Sequence, residues 1–183
     1  VLVFNIAPDY ETKSSYSVVV TASDGKNLLD QLITIKIGNL NDNMPVFTSS
    51  STFTAEENQL SIGTVIATDA DSDPITYSLS GADASALSIG SSSGVLVFNV
   101  APDYETKSSY SAVVTASDET NSTEQSIAIT ITDANDSAPV FTSSSTFSAE
   151  ENQLSIGKVT STDPESDSIT YSLSGTDASA LSI

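Results

Sequence analysis

The 183-residue chain contains no cysteine, no histidine and no tryptophan. The first two absences exclude disulfide staples, thiol nucleophiles, imidazole bases and most zinc or copper sites. Any metal chemistry must therefore run on oxygen. Basic residues are scarce as well: five Lys and Arg against 24 Asp and Glu leave a net charge of −19. Nucleic acid and anionic lipid surfaces are repelled by such a chain, and cations are its natural partners. No apolar run approaches the ~18 residues of a membrane span. An apolar content of 38% nevertheless lies above the disordered range. Neither a start methionine nor a signal peptide opens the chain, and "VLVFNIAP" reads as a strand entered midway.

The chain repeats itself. "APDYETKSSY" runs from Ala7 to Tyr16 and returns unchanged from Ala101 to Tyr110. The same offset of 94 residues relates Asn39 to Asp133, Phe47 to Phe141 and Glu57 to Glu151, which marks tandem copying. Val1 matches Val95 and Ile183 matches Ile89, so only Gly90-Ser91-Ser92-Ser93-Gly94 lacks a counterpart. Two readings fit this phase: a window cut from a longer array at a flexible loop, or an array nicked or left unresolved there. Either way, residues 1–38 are the second half of one unit, 45–132 a complete unit and 139–183 the first half of another, with linkers at 39–44 and 133–138. Neither half-unit can close a core alone.

Ile33, Ile35 and Ile37 alternate with polar residues, and Ile127, Ile129 and Ile131 do so one period later, the pattern of a strand with one buried face. Ile75, Tyr77 and Leu79, then Tyr16, Val18 and Val20, then Leu96 and Phe98, and more briefly Val65 and Ala67, make further such faces. No stretch sustains a 3.6-residue stripe. Turn clusters such as "DADSDP", "GSSSG" and "SDETNS" punctuate the strands at short intervals. The expected fold is all-β: tandem seven-stranded Greek-key β-sandwiches joined end to end. "TAEENQ" is expected as an edge strand ending in an acidic bend, and "FTSSSTF" as a solvated edge strand.

The acids concentrate in four places per period: "AEEN", "DAD", "DYE" and the inter-unit stretch, "NLNDN" at Asn39 to Asn43 and "DANDS" at Asp133 to Ser137. Pro45 and Phe47, and again Pro139 and Phe141, follow the linkers, where Pro fixes the backbone and the aromatic seats the next unit's first strand. Sandwich loops collect at the two ends, so acidic loops of consecutive units meet at each linker. Their summed repulsion rivals the roughly 5–15 kcal/mol that holds a domain folded. Lys13 and Lys107 beside "DYE" are too few to answer it. Hard divalent cations suit sites of Asp, Glu, Asn and backbone carbonyls, and Ca2+ suits them better than magnesium where ligands are many and come from separate segments.

With its motifs in the order "AEEN", "DAD", "DYE", "TASD", "NLNDN-x-P-x-F", the chain resembles the cadherin repeat family over its whole length, in particular bacterial cadherin-like repeats of large surface or secreted adhesins. The resemblance implies Ca2+ at each junction. Carried over by position, it assigns the first junction Asp9, Glu11, Asn39, Asn41, Asp42, Asn43, Asp69, Asp71 and Asp118. To the second it assigns Glu57, Asp103, Glu105, Asp133, Asn135, Asp136, Asp163 and Glu165. Asp24 then faces an upstream junction and Glu151 a downstream one, while Glu56 is a stand-in for Glu57. Three positions depart from the family pattern: Asn39 for the leading Asp, Ser137 for the final Asn, and Glu165 for the second Asp of Asp-x-Asp. The Gly-x-Asn extension after Asp-x-Asp is missing, and Asp73 and Asp167 are placed to substitute.

The function expected is a calcium-rigidified extracellular spacer and adhesion repeat, partnered by neighbouring repeats or head-to-tail copies, on a cell surface and in a bacterial setting. The alternative is a carbohydrate-binding or homophilic module, against which the lack of Trp weighs. With no His or Cys, nothing resembles a nucleophile–base pair, so an enzyme is not expected. Tyr10 and Tyr104 are expected to pack under their loops. The sequons at Asn121 and Asn135 are read as accidental, since a glycan on Asn135 obstructs the ions.

Overall fold

A computed structural model describes residues 1–183. The regular elements are strands and two short 3-10 turns, Ala84–Ala86 and Ala178–Ala180. In the complete unit the strands are β3 (Val46–Phe47), β4 (Thr52–Glu56), β5 (Ser61–Thr64), β6 (Ala67–Thr68), β7 (Thr76–Ser80), β8 (Leu87–Ile89), β9 (Val95–Phe98), β10 (Ser109–Ser117) and β11 (Ser122–Thr132). Counting β3–β4 and β5–β6 as single interrupted strands, they trace the seven expected.

One sheet has the order β4-β11-β10-β7 and the other β5-β9-β8, with β3 and β6 paired antiparallel beside them. β10 and β11 form an antiparallel hairpin in which Tyr110 opposes Ile129 and Ala112 opposes Ile127. β4 lies parallel to β11, Phe53 beside Ile129, so the first and last strands of the unit are neighbours, a Greek-key return. The alternation read from the sequence is what this arrangement buries. Ile127, Ile129, Ile131, Ala112, Val114 and Ala55 point inward from one sheet, Leu87, Leu96 and Phe98 from the other, and Val65 fills the gap where β5 breaks before β6. Phe47 and Tyr104 pack against this core, as expected, and Phe98 meets Tyr110 edge-on at 5.0 Å. Tyr10, in the half-unit, is exposed.

The loop at residues 90–94, exposed at Ser91, Ser92 and Ser93, closes through buried Gly94, which sits at φ 66° with its carbonyl accepting the Val65 N–H at 2.9 Å. A Cβ there would lie 2.1 Å from the Val65 oxygen, so the turn requires glycine.

The half-units differ from the complete one in an instructive way. Residues 1–38 keep a hairpin, β1 (Ser15–Ser23) with β2 (Leu28–Lys36), in the register of β10 and β11. Residues 139–183 share the sequence pattern of 45–89 yet form only β12 (Val140–Phe141) and β13 (Ser161–Thr162). A hairpin carries its own hydrogen-bond partners, whereas β4, β5, β7 and β8 pair across to the second half of the unit; their counterparts lack that half.

The consequence is measurable by urea denaturation of the central sandwich. Ile129→Ala should cost about 2–4 kcal/mol. In dilute solution its repeat counterpart, Ile35→Ala, should shift that same transition by less than about 0.5 kcal/mol.

Candidate metal centres at the two junctions

The sandwich sends its loops to its ends, and at each end the linker runs between them. At the first junction the central group is Asp71, buried at the turn before β7. Its Oδ2 accepts the backbone N–H groups of Asp42 (3.0 Å) and Asn43 (2.8 Å), its Oδ1 the side-chain amide of Asn43 (3.0 Å), and its carbonyl the side-chain amide of Asn39 (2.8 Å). The linker is thus fastened to the unit that follows it. Glu11 arrives from the preceding unit, and oxygens of Glu11, Asp42 and Asp71 lie within 4.8 Å of one another. On the other side, Asp69, Asp71 and Asp73 meet the same limit. Ser72 at φ 67° turns the chain tightly enough to bring these alternate carboxylates together. The Oδ2 of Asp69 is buried with no hydrogen-bond partner.

The second junction repeats this with different details. Buried Glu57 accepts the backbone N–H of Tyr104 (2.8 Å) on one oxygen and that of Ala134 (2.7 Å) on the other, joining the "AEEN" bend to the "DYE" loop and the linker. Glu57, Glu105 and Asp133 gather within 4.8 Å, and Glu105, Asp136 and Glu165 do likewise, with Glu165 contributed by the next unit. Both carboxylate oxygens of Glu165 are buried and unpartnered. Asn58 donates to Asp136 and fixes its orientation.

Of the residues carried over from the motifs, the four acidic groups contain Glu11, Asp42, Asp69, Asp71, Glu57, Glu105, Asp133, Asp136 and Glu165, together with Asp73, the substitute for the missing extension. Asp9 and Asp103 stand outside them, each capping its own loop: Asp9 accepts from Glu11 N, Thr12 N and Thr12 Oγ1, and Asp103 from Thr106 N and Oγ1. Asp163 likewise accepts the N–H of Asp167 at 3.1 Å. Asp118 is buried, turned toward Thr120 N and Asn121 N, and its carbonyl accepts from the Asn41 amide.

Asn121 is the junction residue that sequence reasoning missed. Its side-chain amide donates to Asn41 Oδ1 (2.9 Å) and the Asn43 carbonyl (3.1 Å), tying the β10–β11 loop to the linker. The signal was present in the spacing, because Asn27 caps Asp24 one period earlier in the same way. It was masked by the sequon reading.

The carboxyl groups record their crowding. Burial raises the Glu105 carboxyl above the ordinary range against the pull of its own backbone N–H, and the charges of Glu57, Glu165 and Asp133 add to that rise. Asp73 is raised by burial and by Asp69, Asp71 and Asp118. Asp71 moves the other way: burial pushes it up, but the hydrogen bonds from Asn43, Glu11 and Asp42 prevail and lower it. No basic side chain relieves these sites. Lys107 pairs with Asp83 in the chain's one ion pair and lies over the Tyr110 ring at 4.6 Å, while Lys13 lies over Tyr16 at 4.5 Å. Asp83 is lowered by Lys107 first and the Ser111 N–H second.

Comparison with known proteins places this arrangement in context. Residues 51–132 match a family model described as the cadherin domain. Human Protocadherin Fat 4 is 34% identical over 144 residues, 73% of this chain and 3% of the relative. Protocadherin-11 X-linked of Pongo pygmaeus is 33% identical over 174 residues, 86% of this chain and 13% of the relative. The chain therefore spans a small fraction of these relatives' length. Among solved structures, a protocadherin gammaB7 EC3-6 cis-dimer superposes with a TM-score of 0.71 at 26% identity, covering 85% of this chain and 44% of that one. Protocadherin Gamma B2 domains 3-6 give 0.70 at 28% identity, covering 85% and 44%.

The crowding at Glu105 has a definite sign. A carboxyl raised in the folded state contributes stability below its unfolded pKa that is lost as pH rises through the raised value. In chelator, Glu105→Gln should therefore stabilise the protein at neutral pH relative to wild type and flatten that decline, while weakening divalent-cation binding about tenfold or more. Thermal melts with chelator across pH 4–7 and calcium titrations check both halves of the expectation.

Proposed function

Residues 51–132 of the chain belong to the cadherin domain family, and from that premise we propose that the chain is a calcium-stiffened spacer from the extracellular, adhesive part of a longer protein. The observation carrying the proposal is the meeting of carboxylates from both sides of each linker, with buried oxygens of Asp69 and Glu165 unpartnered and no Lys or Arg among them. Unpaired buried carboxylates are costly, and oxygen-only donor sets of this kind fit a hard divalent cation.

At the first junction Glu11, Asp42, Asp69, Asp71 and Asp73 would hold the ions, with Asp9, Asp118 and the carbonyl oxygens of Asn39, Asn41 and Asn43 within the same loops. At the second, Glu57, Glu105, Asp133, Asp136 and Glu165 would do so, with Asp103, Asn135 and Asp163 alongside. A bound calcium supplies positive charge that no side chain here provides. The chain's own residues do the rest: Asp71 and Glu57 anchor each linker through backbone N–H groups, and Glu11 and Glu165 reach across from the opposite unit. Because ligands come from both units, coordination is possible in one relative orientation only, and a hinge becomes a strut.

Partners under this reading are the neighbouring repeats, and the location is outside the cell. No helix of the chain is long and apolar enough to cross a membrane. A bacterial setting, expected from the resemblance to bacterial cadherin-like repeats, draws no support from the human and great-ape relatives.

Small-angle scattering with millimolar calcium and then with chelator tests the proposal. Chelation should lower the maximum dimension spread of conformers toward bent forms, with the central sandwich still folded by circular dichroism. Asp71→Asn and Glu165→Gln should each loosen one joint at a calcium level that stiffens wild type, with affinity in the range of about 0.1–1 mM. An identical scattering profile with and without calcium would overturn it.

A further inference from the structure

We propose that the two joints are unequal: the linker at 39–43 is clasped to the unit that follows it by hydrogen bonds that need no metal, whereas the linker at 133–137 has no such clasp. The same acidic turn faces the linker in both places, and its middle carboxylate is Asp71 at the first joint and Glu165 at the second. Four donors of the first linker converge on Asp71. The backbone N–H groups of Asp42 and Asn43 reach its Oδ2, the Asn43 side-chain amide its Oδ1 and the Asn39 amide its carbonyl. Asp71 is 5% exposed, so these bonds are shielded from competing water. Asn121 adds two bonds, but to Asn41 Oδ1 and the Asn43 carbonyl, which leaves the Asp42 and Asn43 N–H groups to Asp71.

Near-duplication isolates the residues responsible. Residues 45–53 and 139–147 are identical, as are 55–63 and 149–157, and 75–81 and 169–175, yet all three side chains of the clasp are replaced. Asp133 stands for Asn39 and, as a carboxylate, has no hydrogen to donate to the carbonyl of residue 165. Ser137 stands for Asn43 and bonds instead to Asp136 Oδ1 at 3.2 Å. Glu165 stands for Asp71, and both of its carboxylate oxygens are buried and accept nothing.

The turn that presents Glu165 is otherwise the same as the one that presents Asp71. Ser166 sits at φ 65° as Ser72 does at 67°, its N–H reaches the Asp163 carbonyl as that of Ser72 reaches Asp69, and β12 pairs with β13 in the register of β3 and β6. The loss therefore follows from the residues at 133, 137 and 165. The second linker's own bonds run the other way, to the unit before it, from the Ala134 N–H to Glu57 and from Asn58 to Asp136. Glu165 is gathered with Glu105 and Asp136 and fastened to neither, so their repulsion opens this joint beyond the linker unless a cation bridges it. The central unit thus keeps both linkers, and the second joint is the one that opens first as cations are withdrawn. That consequence rests on the calcium reading, whereas the clasp does not.

Amide hydrogen exchange of the full chain, followed residue by residue by NMR in chelator, tests the clasp. Relative to their intrinsic rates, the Asp42 and Asn43 amides should exchange roughly tenfold or more slower than those of Asp136 and Ser137. Placing the second joint's residues at the first, as N39D/N43S/D71E, should abolish that protection, and D71E alone should remove most of it. L40A, which copies a linker difference outside the clasp, should leave the protection within about twofold of wild type. The Val65 amide, bonded to the Gly94 carbonyl inside the sandwich, reports in each variant that the central unit is folded. Equal exchange at the two linkers, or protection of Asp42 and Asn43 that survives N39D/N43S/D71E in a folded unit, would overturn the proposal. Every arm runs in chelator, so that failure is distinct from a scattering profile that ignores calcium.

Discussion

Everything at the junctions depends on one electrostatic constraint: carboxylates from separate segments are drawn together where no basic side chain reaches them. Glu11, Asp42 and Asp71 converge at one end of the central sandwich and Glu57, Glu105 and Asp133 at the other. The two lysines nearest in sequence are held elsewhere, Lys107 by Asp83 and Tyr110, Lys13 by Tyr16. The fold orients these carboxylates through hydrogen bonds and gives them no basic partner, so the clusters could hold a metal ion. Backbone N–H groups do much of the orienting, since those of Asp42, Asn43, Tyr104 and Ala134 hold the anchoring carboxylates in place. At Asp71 such bonds favour the ionised form.

The second constraint is topological. The first and last strands of a unit are neighbours, β4 beside β11, and the two sheets exchange strands between the unit's halves. Stability is therefore a property of the whole period and not of either half. The hairpin of residues 1–38 keeps its hydrogen bonds because they are local; the strands of 139–183 are mostly absent because theirs are not.

Much of this was legible in the chain itself, residue by residue. The inward run of Ile127, Ile129 and Ile131 follows from alternation alone, and the packing of Phe47 beneath the start of a unit follows from the linker's Pro and aromatic. The acidic motifs, spaced as they are, located both junctions. What did not follow was which carboxylates face one another. Asp9 and Asp103 look like partners of Glu11 and Glu105, yet they cap their own loops through Thr12 and Thr106. Asn121 lies far from the first linker in sequence, and its grip on Asn41 and Asn43 exists only because the β10–β11 loop comes back beside residues 39–43.

Periodicity and composition by themselves determined the unit length, the strand faces, the end-to-end array and the exclusion of thiol and imidazole chemistry, because each is a property of residues near one another along the chain or of the whole inventory. Only the tertiary structure decided which oxygens meet and which lysine is already committed. Those are distances between segments tens of residues apart, set by how two sheets close over a core and not by the local order of the residues that they bring together.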